Sequence, residues 1–91
     1  MESDIEHDRE GCRFFTDVEG HRAELDYRLE DGTLVITHTG VPTPVEGRGI
    51  AAALVRAALL EARASGWKVR PRCAYAEAYV RRHPEFDDLR E

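Results

Sequence analysis

The sequence predicts an α+β domain built on a mixed sheet. Three observations carry that prediction. Residues 22–30 alternate without a break, with Arg22, Glu24, Asp26, Arg28 and Glu30 charged and Ala23, Leu25, Tyr27 and Leu29 apolar. A period of two over that length means a strand with one wet and one buried face. Residues 51–64, A-A-A-L-V-R-A-A-L-L-E-A-R-A, form a strong helix pattern. A further β-like run, Trp67 to Cys73, follows that helix. A strand before the helix and a strand after it make a βαβ unit, so the two are expected to be parallel and joined right-handed.

The elements follow in order. Residues 1–11 mix Asp, Glu, His and Arg around the single apolar Ile5. They read as a frayed or loosely docked acidic tail, with the domain at 12–91. R-F-F-T-D-V, residues 13–18, is aromatic and β-branched, a strand. Glu19-Gly20 marks a turn. The alternating strand ends at Asp31-Gly32, the dipeptide favoured by a two-residue type I′ hairpin turn. T-L-V-I-T-H-T-G-V, residues 33–41, returns. That turn fixes a register: Glu30 with Thr33, Leu29 with Leu34, Tyr27 with Ile36, Leu25 with His38. His38 is thereby expected on the buried face. It reads there either as a packed, hydrogen-bonded core histidine or as a ligand-facing group at a strand's C-terminal end. V-P-T-P at 41–44 breaks the strand. In the helix Ala51, Leu54, Val55, Ala58 and Ala62 form one stripe, opposite Arg56 and Arg63. Ser65-Gly66 ends it, with Gly as the C-cap residue. In the next strand Pro71 has no N–H, so one side is unpaired or bulged. Residues 74–82 form a short helix that stops before His83-Pro84.

Ninety-one residues make one domain. At 42% hydrophobic and 34% charged, the composition is globular. The uncharged stretch 33–45 is too short to span a bilayer. The acidic N-terminus has no apolar h-region, so no secretory signal is read. Cys12 and Cys73 make no disulfide framework, which points to a reduced, cytoplasmic protein. A net charge of −5 argues against a general nucleic-acid binder. The charge is uneven, however. Residues 48–82 hold eight basic side chains against Glu61 and Glu77 alone. A positive second half suits a small polyanion better than a long one.

Gly47-Arg48-Gly49 stands between the strand end and the helix start. Glycines let a backbone approach a ligand closely, and the first N–H groups of a helix attract anions. Arg48 adds a charged donor. The motif has neither the spacing and Lys of a P-loop nor the third Gly of a dinucleotide fingerprint.

The stretch V-P-T-P-V-E-G-R-G-I-A-A-A-L resembles the acetyl-CoA signature of the GNAT superfamily of N-acetyltransferases. That signature runs Arg or Gln, two residues, Gly, one residue, then Gly or Ala. It maps onto Glu46, Gly47-Arg48, Gly49, Ile50 and Ala51, with Glu46 departing from the pattern. Downstream, W-K-V-R-P-R-C-A-Y-A-E-A-Y-V-R-R-H-P-E-F is similar to a short-chain branch of the superfamily. The resemblance covers roughly Phe14 to Leu89. The chain lacks the helices that longer members carry between their first two strands, and their later strands.

The resemblance implies a minimal GNAT fold whose βαβ unit carries acetyl-CoA between strands 33–41 and 67–73. The pantetheine arm would pair with backbone near Thr39 to Val41. The pyrophosphate would rest on Gly47, Arg48, Gly49, Ile50 and Ala51. The implied catalytic candidates are Cys73, at the thioester, and His38, a general base at neutral pH. Tyr75 or Tyr79 would protonate the departing thiolate, or pack. Cys12 is expected to be a small hydrophobe, and His7 and His21 to be solvated. Cysteines and histidines show no zinc spacing, and no metal is expected. The expected activity is acetyl transfer to an unidentified amine by a monomer or weak homodimer, without nucleic-acid or membrane partners. The alternatives are a non-catalytic CoA- or acyl-CoA-binding module, and an interaction domain without ligand.

Overall fold

The computed structural model describes residues 4–91. The chain forms one five-stranded sheet in the order β1-β2-β3-β4-β5. The strands are β1 (Glu6–Asp8), β2 (Arg13–Val18), β3 (His21–Glu30), β4 (Thr33–Gly40) and β5 (Lys68–Pro71). The helices are α1 (Ile50–Ser65) and α2 (Ala74–Arg82), with 3-10 turns at Thr43–Val45 and Pro84–Leu89. The first four strands pair antiparallel, and β4 pairs with β5 in parallel across α1. No helix among the described residues is long and apolar enough to cross a membrane.

Both hairpin turns follow from their dipeptides. Glu19-Gly20 joins paired Val18 and His21, and Asp31-Gly32 joins paired Glu30 and Thr33. Asp31 and Gly32 have φ of 51° and 81°. Positive φ at both central residues defines the I′ turn, whose twist matches the strands it joins. Phe14, Leu25 and Tyr27 point to one face of the sheet and are buried there. Leu54, Val55, Ala58, Leu59 and Ala62 of α1 lie in the same core, with no exposed surface. Leu59 widens the stripe expected from sequence. Ala51, expected within it, instead sits half-exposed at the helix start. α1 ends in a Schellman arrangement: the Gly66 N–H donates to Arg63 O, and the Trp67 N–H to Ala62 O at 2.8 Å. The 3-10 turn after α2 returns Phe86 and Leu89 to the core.

The acidic tail needs correction. Its first three residues lie outside the described residues, but Glu6, His7 and Asp8 pair with Phe15, Phe14 and Arg13. The reason is His7, which was expected in solvent. Its ring stacks on Phe14 at 4.0 Å, and its Nε2 shares a 2.6 Å hydrogen bond with the Tyr27 hydroxyl. Ile5 packs on the core beside it. Asp8 closes the turn into β2 by accepting the Gly11 N–H at 3.0 Å.

The last sequence register also needs correction. Glu30↔Thr33, Leu29↔Leu34 and Tyr27↔Ile36 stand as read, but Asp26 faces His38 and Leu25 faces Thr39. One extra residue has entered β4, leaving Thr37 without a ladder partner. This is a β-bulge, two residues opposite one. Its Thr37 hydroxyl donates to Asp26 O at 3.2 Å. After the bulge the alternation reverses. Thr39 turns to the side of Leu25, and His38 is exposed.

His7 supplies a test of this packing. Burial, and then the Arg9 guanidinium, hold its pKa below the usual 6.5, against the opposing pull of Glu61 and Asp8. The unfolded chain therefore takes up a proton first as pH falls. Stability from neutral His7 is fully present above about pH 6.5 and is lost as pH falls from there toward the folded pKa. The melting temperature should fall with acidification in this range, before carboxylates titrate. His7→Phe should flatten that slope, as thermal melts across pH would show.

Candidate functional site

The site begins where two parallel strands part. The β4–β5 ladder runs from Thr33↔Lys68 to Ile36↔Pro71 and stops. Its last rung is the Arg72 N–H donating to Ile36 O at 2.9 Å. β4 then bends at the bulge and continues to Gly40, while the other chain leaves the sheet and enters α2 at Ala74. Beyond Ile36, β4 has no strand beside it on that flank among the described residues. Its backbone polar groups there are open to a ligand or to water.

The opening leads into a groove of about 370 Å³ lined by Thr39, Val41, Gly47, Gly49, the first turn of α1 and Tyr75. Gly47 and Gly49 have φ of 81° and 77°, left-handed conformations that glycine adopts without strain. A Cβ built on either would meet nothing within 4 Å, so both present bare backbone to open space. Gly49 is the N-cap of α1 and offers no capping side chain. The first bond inside the helix is the Ala53 N–H to Gly49 O, at 3.1 Å. The N–H groups of Ile50, Ala51 and Ala52 precede it, and the first turn carries no acidic residue. Unpaired donors at the positive end of a 16-residue helix form an anion-binding surface. A larger cleft of about 530 Å³ lies on the other flank of α1, between Phe14 and Leu60. Its imidazole, His7, is already hydrogen-bonded to Tyr27.

The predicted residues divide. Val41, Gly47, Gly49, Ile50 and Ala51 all line the groove. Arg48 does not. Its guanidinium forks onto Glu19 at 2.9 and 3.1 Å and lines the neighbouring cleft with Asp17 and Val18. Glu19 is held below the usual carboxylate range by that hydrogen bond, and Arg48 is raised by the same pairing. Glu46, where the signature has a cation or amide, lies at the groove wall.

Cys73, read as the last residue of a strand, is instead the N-cap of α2. Its sulfur accepts the Ala76 N–H at 3.4 Å and lies 3.5 Å from the Thr39 hydroxyl, at the mouth of the splay. His38 is not on the buried face where the sequence register put it. The bulge turns it out to the solvent face, opposite Asp26. Its ring lies along the strand above Gly40, where a Cβ would come within 2.8 Å of Nε2. Among the described residues no hydrogen bond is made to that ring.

Tyr75 and Tyr79, four residues apart, separate in role. Tyr79 is buried and stacks on His83 at 4.0 Å. Tyr75 is 41% exposed and lines the groove. Burial, with Tyr79 adding to it, pushes its phenol pKa above 10, so it carries its proton at neutral pH. Thr39 was foreseen only for its backbone. Its side chain enters the groove because of the bulge, for which the sequence gives no local signal such as a glycine.

The sequence model of a family described as GCN5-related N-acetyl-transferase matches residues 13–89. Protein NATD1 of Mus musculus is 36% identical over 83 residues, covering 88% of this chain and 76% of its own length. Protein NATD1 of Homo sapiens is equally similar, with 74% of its length covered. Among solved structures, a Staphylococcus aureus protein described as GCN5-like superposes with a TM-score of 0.76 at 24% identity. The match covers 98% of this chain and 90% of that one, and it establishes likeness of fold.

The two thiols are both partly exposed, but only Cys73 has its sulfur at the head of a helix, within reach of an N–H and a hydroxyl. Cys12 sits in the β1–β2 turn, with its sulfur 3.9 Å from Arg9 O. Limiting iodoacetamide should label Cys73 ahead of Cys12, as read by peptide mass spectrometry. Equal labelling would remove the distinction.

Proposed function

The chain belongs to the GCN5-related N-acetyltransferase family, and on that premise we propose that it transfers an acetyl group from acetyl-CoA to a primary amine. One observation carries the reading: the parting of β4 from β5 opens directly onto the bare-backbone turn Gly47–Ala51. The residues present fit the cosubstrate. Gly47, Gly49 and the free N–H groups of α1 suit a pyrophosphate. The unpaired edge of β4 at Thr39 to Val41 suits the amide-bearing pantetheine arm. The contribution of Arg48 is limited by Glu19, which must release it before it can reach the anion.

Acetyl-CoA supplies an acyl carbon already activated by its thioester. The amine nitrogen attacks that carbon, the new C–N bond replaces the C–S bond, and CoA leaves as thiolate. The chain must accept one proton and supply another. His38, exposed and without a hydrogen-bond partner among the described residues, takes the proton that the amine loses, from the sheet face on which the acceptor approaches. Tyr75, protonated and in the groove, gives one to the thiolate. Cys73 borders the acyl end of the groove, and direct attack by the amine needs no covalent intermediate on it. The free thiols suit a reducing, cytoplasmic setting.

Three measurements test this reading. CoA should raise the melting temperature, by about 2.7 kcal/mol of added stability at a concentration ~100 times its dissociation constant. Gly49→Val puts its side chain into open space but strains a backbone held at φ 77°, so it should melt below the wild type and, once circular dichroism shows it folded, lose the stabilisation by CoA. Acetyl-CoA consumption with tyramine, spermidine and Nα-acetyl-lysine, followed by mass spectrometry, should yield acetylated product and should fail in His38→Gln. Stabilisation by CoA without product from any amine would favour the non-catalytic binding module. No shift at millimolar CoA would sink both.

A further inference from the structure

We propose that Thr39 is the positioning residue of the acyl end of the groove, its hydroxyl holding the Cys73 sulfur across the mouth between β4 and α2. The purpose of the contact rests on the acetyl-transfer reading; the contact itself does not.

The argument starts from the bulge. Without the extra residue, alternation from the buried Ile36 would place His38 inward and Thr39 outward. With it, Thr39 is the polar side chain on the Leu25 side of the strand. It lines the groove and is half-buried, with its hydroxyl 3.5 Å from Cys73 Sγ.

Cys73 is held in two further ways. Its backbone follows Arg72, fixed by the last rung of the ladder. Its sulfur caps α2 through the Ala76 N–H. The rung lies before the strands part and the cap lies within α2, whereas Thr39 reaches across the mouth beyond the parting. A hydroxyl rotates freely and can donate where the sulfur is the acceptor, as the sulfur already is to Ala76. Two donors then converge on one sulfur, and the width of the mouth is tied to its orientation. Valine keeps the shape of threonine and removes the donor. Serine keeps the donor and removes the methyl.

The test uses the full chain without CoA, with Cys12 as the internal reference. The rate of Cys73 alkylation by iodoacetamide is followed by peptide mass spectrometry in Thr39→Val and Thr39→Ser. Thr39→Val should slow Cys73 by roughly two- to tenfold, the range for one lost hydrogen bond. Cys12 should be unchanged, and Thr39→Ser should stay with the wild type. Thr39→Ala is read in the same way if the valine variant does not fold. An unchanged Cys73 rate in the variant lacking the hydroxyl, an equal loss in the serine variant, or an equal change at Cys12 would overturn the assignment. Acetyl-CoA turnover in Thr39→Val should fall with KM for acetyl-CoA retained, and wild-type turnover would overturn the functional half. Failure of CoA to bind the wild type defeats the acetyl-transfer reading while leaving the labelling result intact, so the two failures are distinguishable.

Discussion

The structure depends on one extra residue in β4. A parallel pair of strands keeps its ladder only while both backbones hold the same direction. The bulge at Thr37 and His38 bends β4 as Pro71, which has no N–H, ends β5. The two strands part after Ile36, and the cavity between them belongs to the backbone before any side chain is considered. The same residue reverses the alternation, sending His38 to solvent and Thr39 to the groove. One local irregularity thus sets the position of the opening and the chemistry on each of its faces.

Charge organises the rest of the surface. The acidic first half and the basic second half meet within the molecule. Arg48 pairs with Glu19 and Arg70 with Glu30. Exposed pairs of this kind add little to stability. Their larger effect is on the field: of the cations that suggested a polyanion site, Arg48, Arg63, Arg70 and Arg81 are already matched. Among the described residues Arg56, Lys68, Arg72 and Arg82 have no carboxylate in ion-pair range, and none of these eight side chains lines the groove. The anion-binding character of the groove rests on backbone N–H groups and the α1 dipole more than on side-chain charge.

The strands, the I′ turn at Asp31-Gly32, α1 and its glycine stop were legible because each rests on a short-range rule, either periodicity or a required φ. The Gly47–Ala51 turn was legible for the same reason, and the family resemblance implied acetyl-CoA as the ligand proposed for it. β1 was missed because Glu6-His7-Asp8 has no apolar alternation; it is held by a histidine on an aromatic ring 7 residues later and a phenol 20 residues later. The bulge was missed because it is a compromise between two ladders and leaves no mark in residues 33–41. That single miss misplaced His38 and hid Thr39. The occupation of Arg48 by Glu19, 29 residues away in sequence, was likewise beyond any local pattern.

The central claim is that the parted β4–β5 mouth and the Gly47–Ala51 turn form one continuous cosubstrate site. Amide chemical-shift mapping during a CoA titration tests it most directly. The largest changes should fall together on Thr39–Val41 and on Gly47–Ala52, with one shared dissociation constant. Changes concentrated instead on Ile5, His7, Phe14 and Leu60, along the far flank of α1, would contradict it.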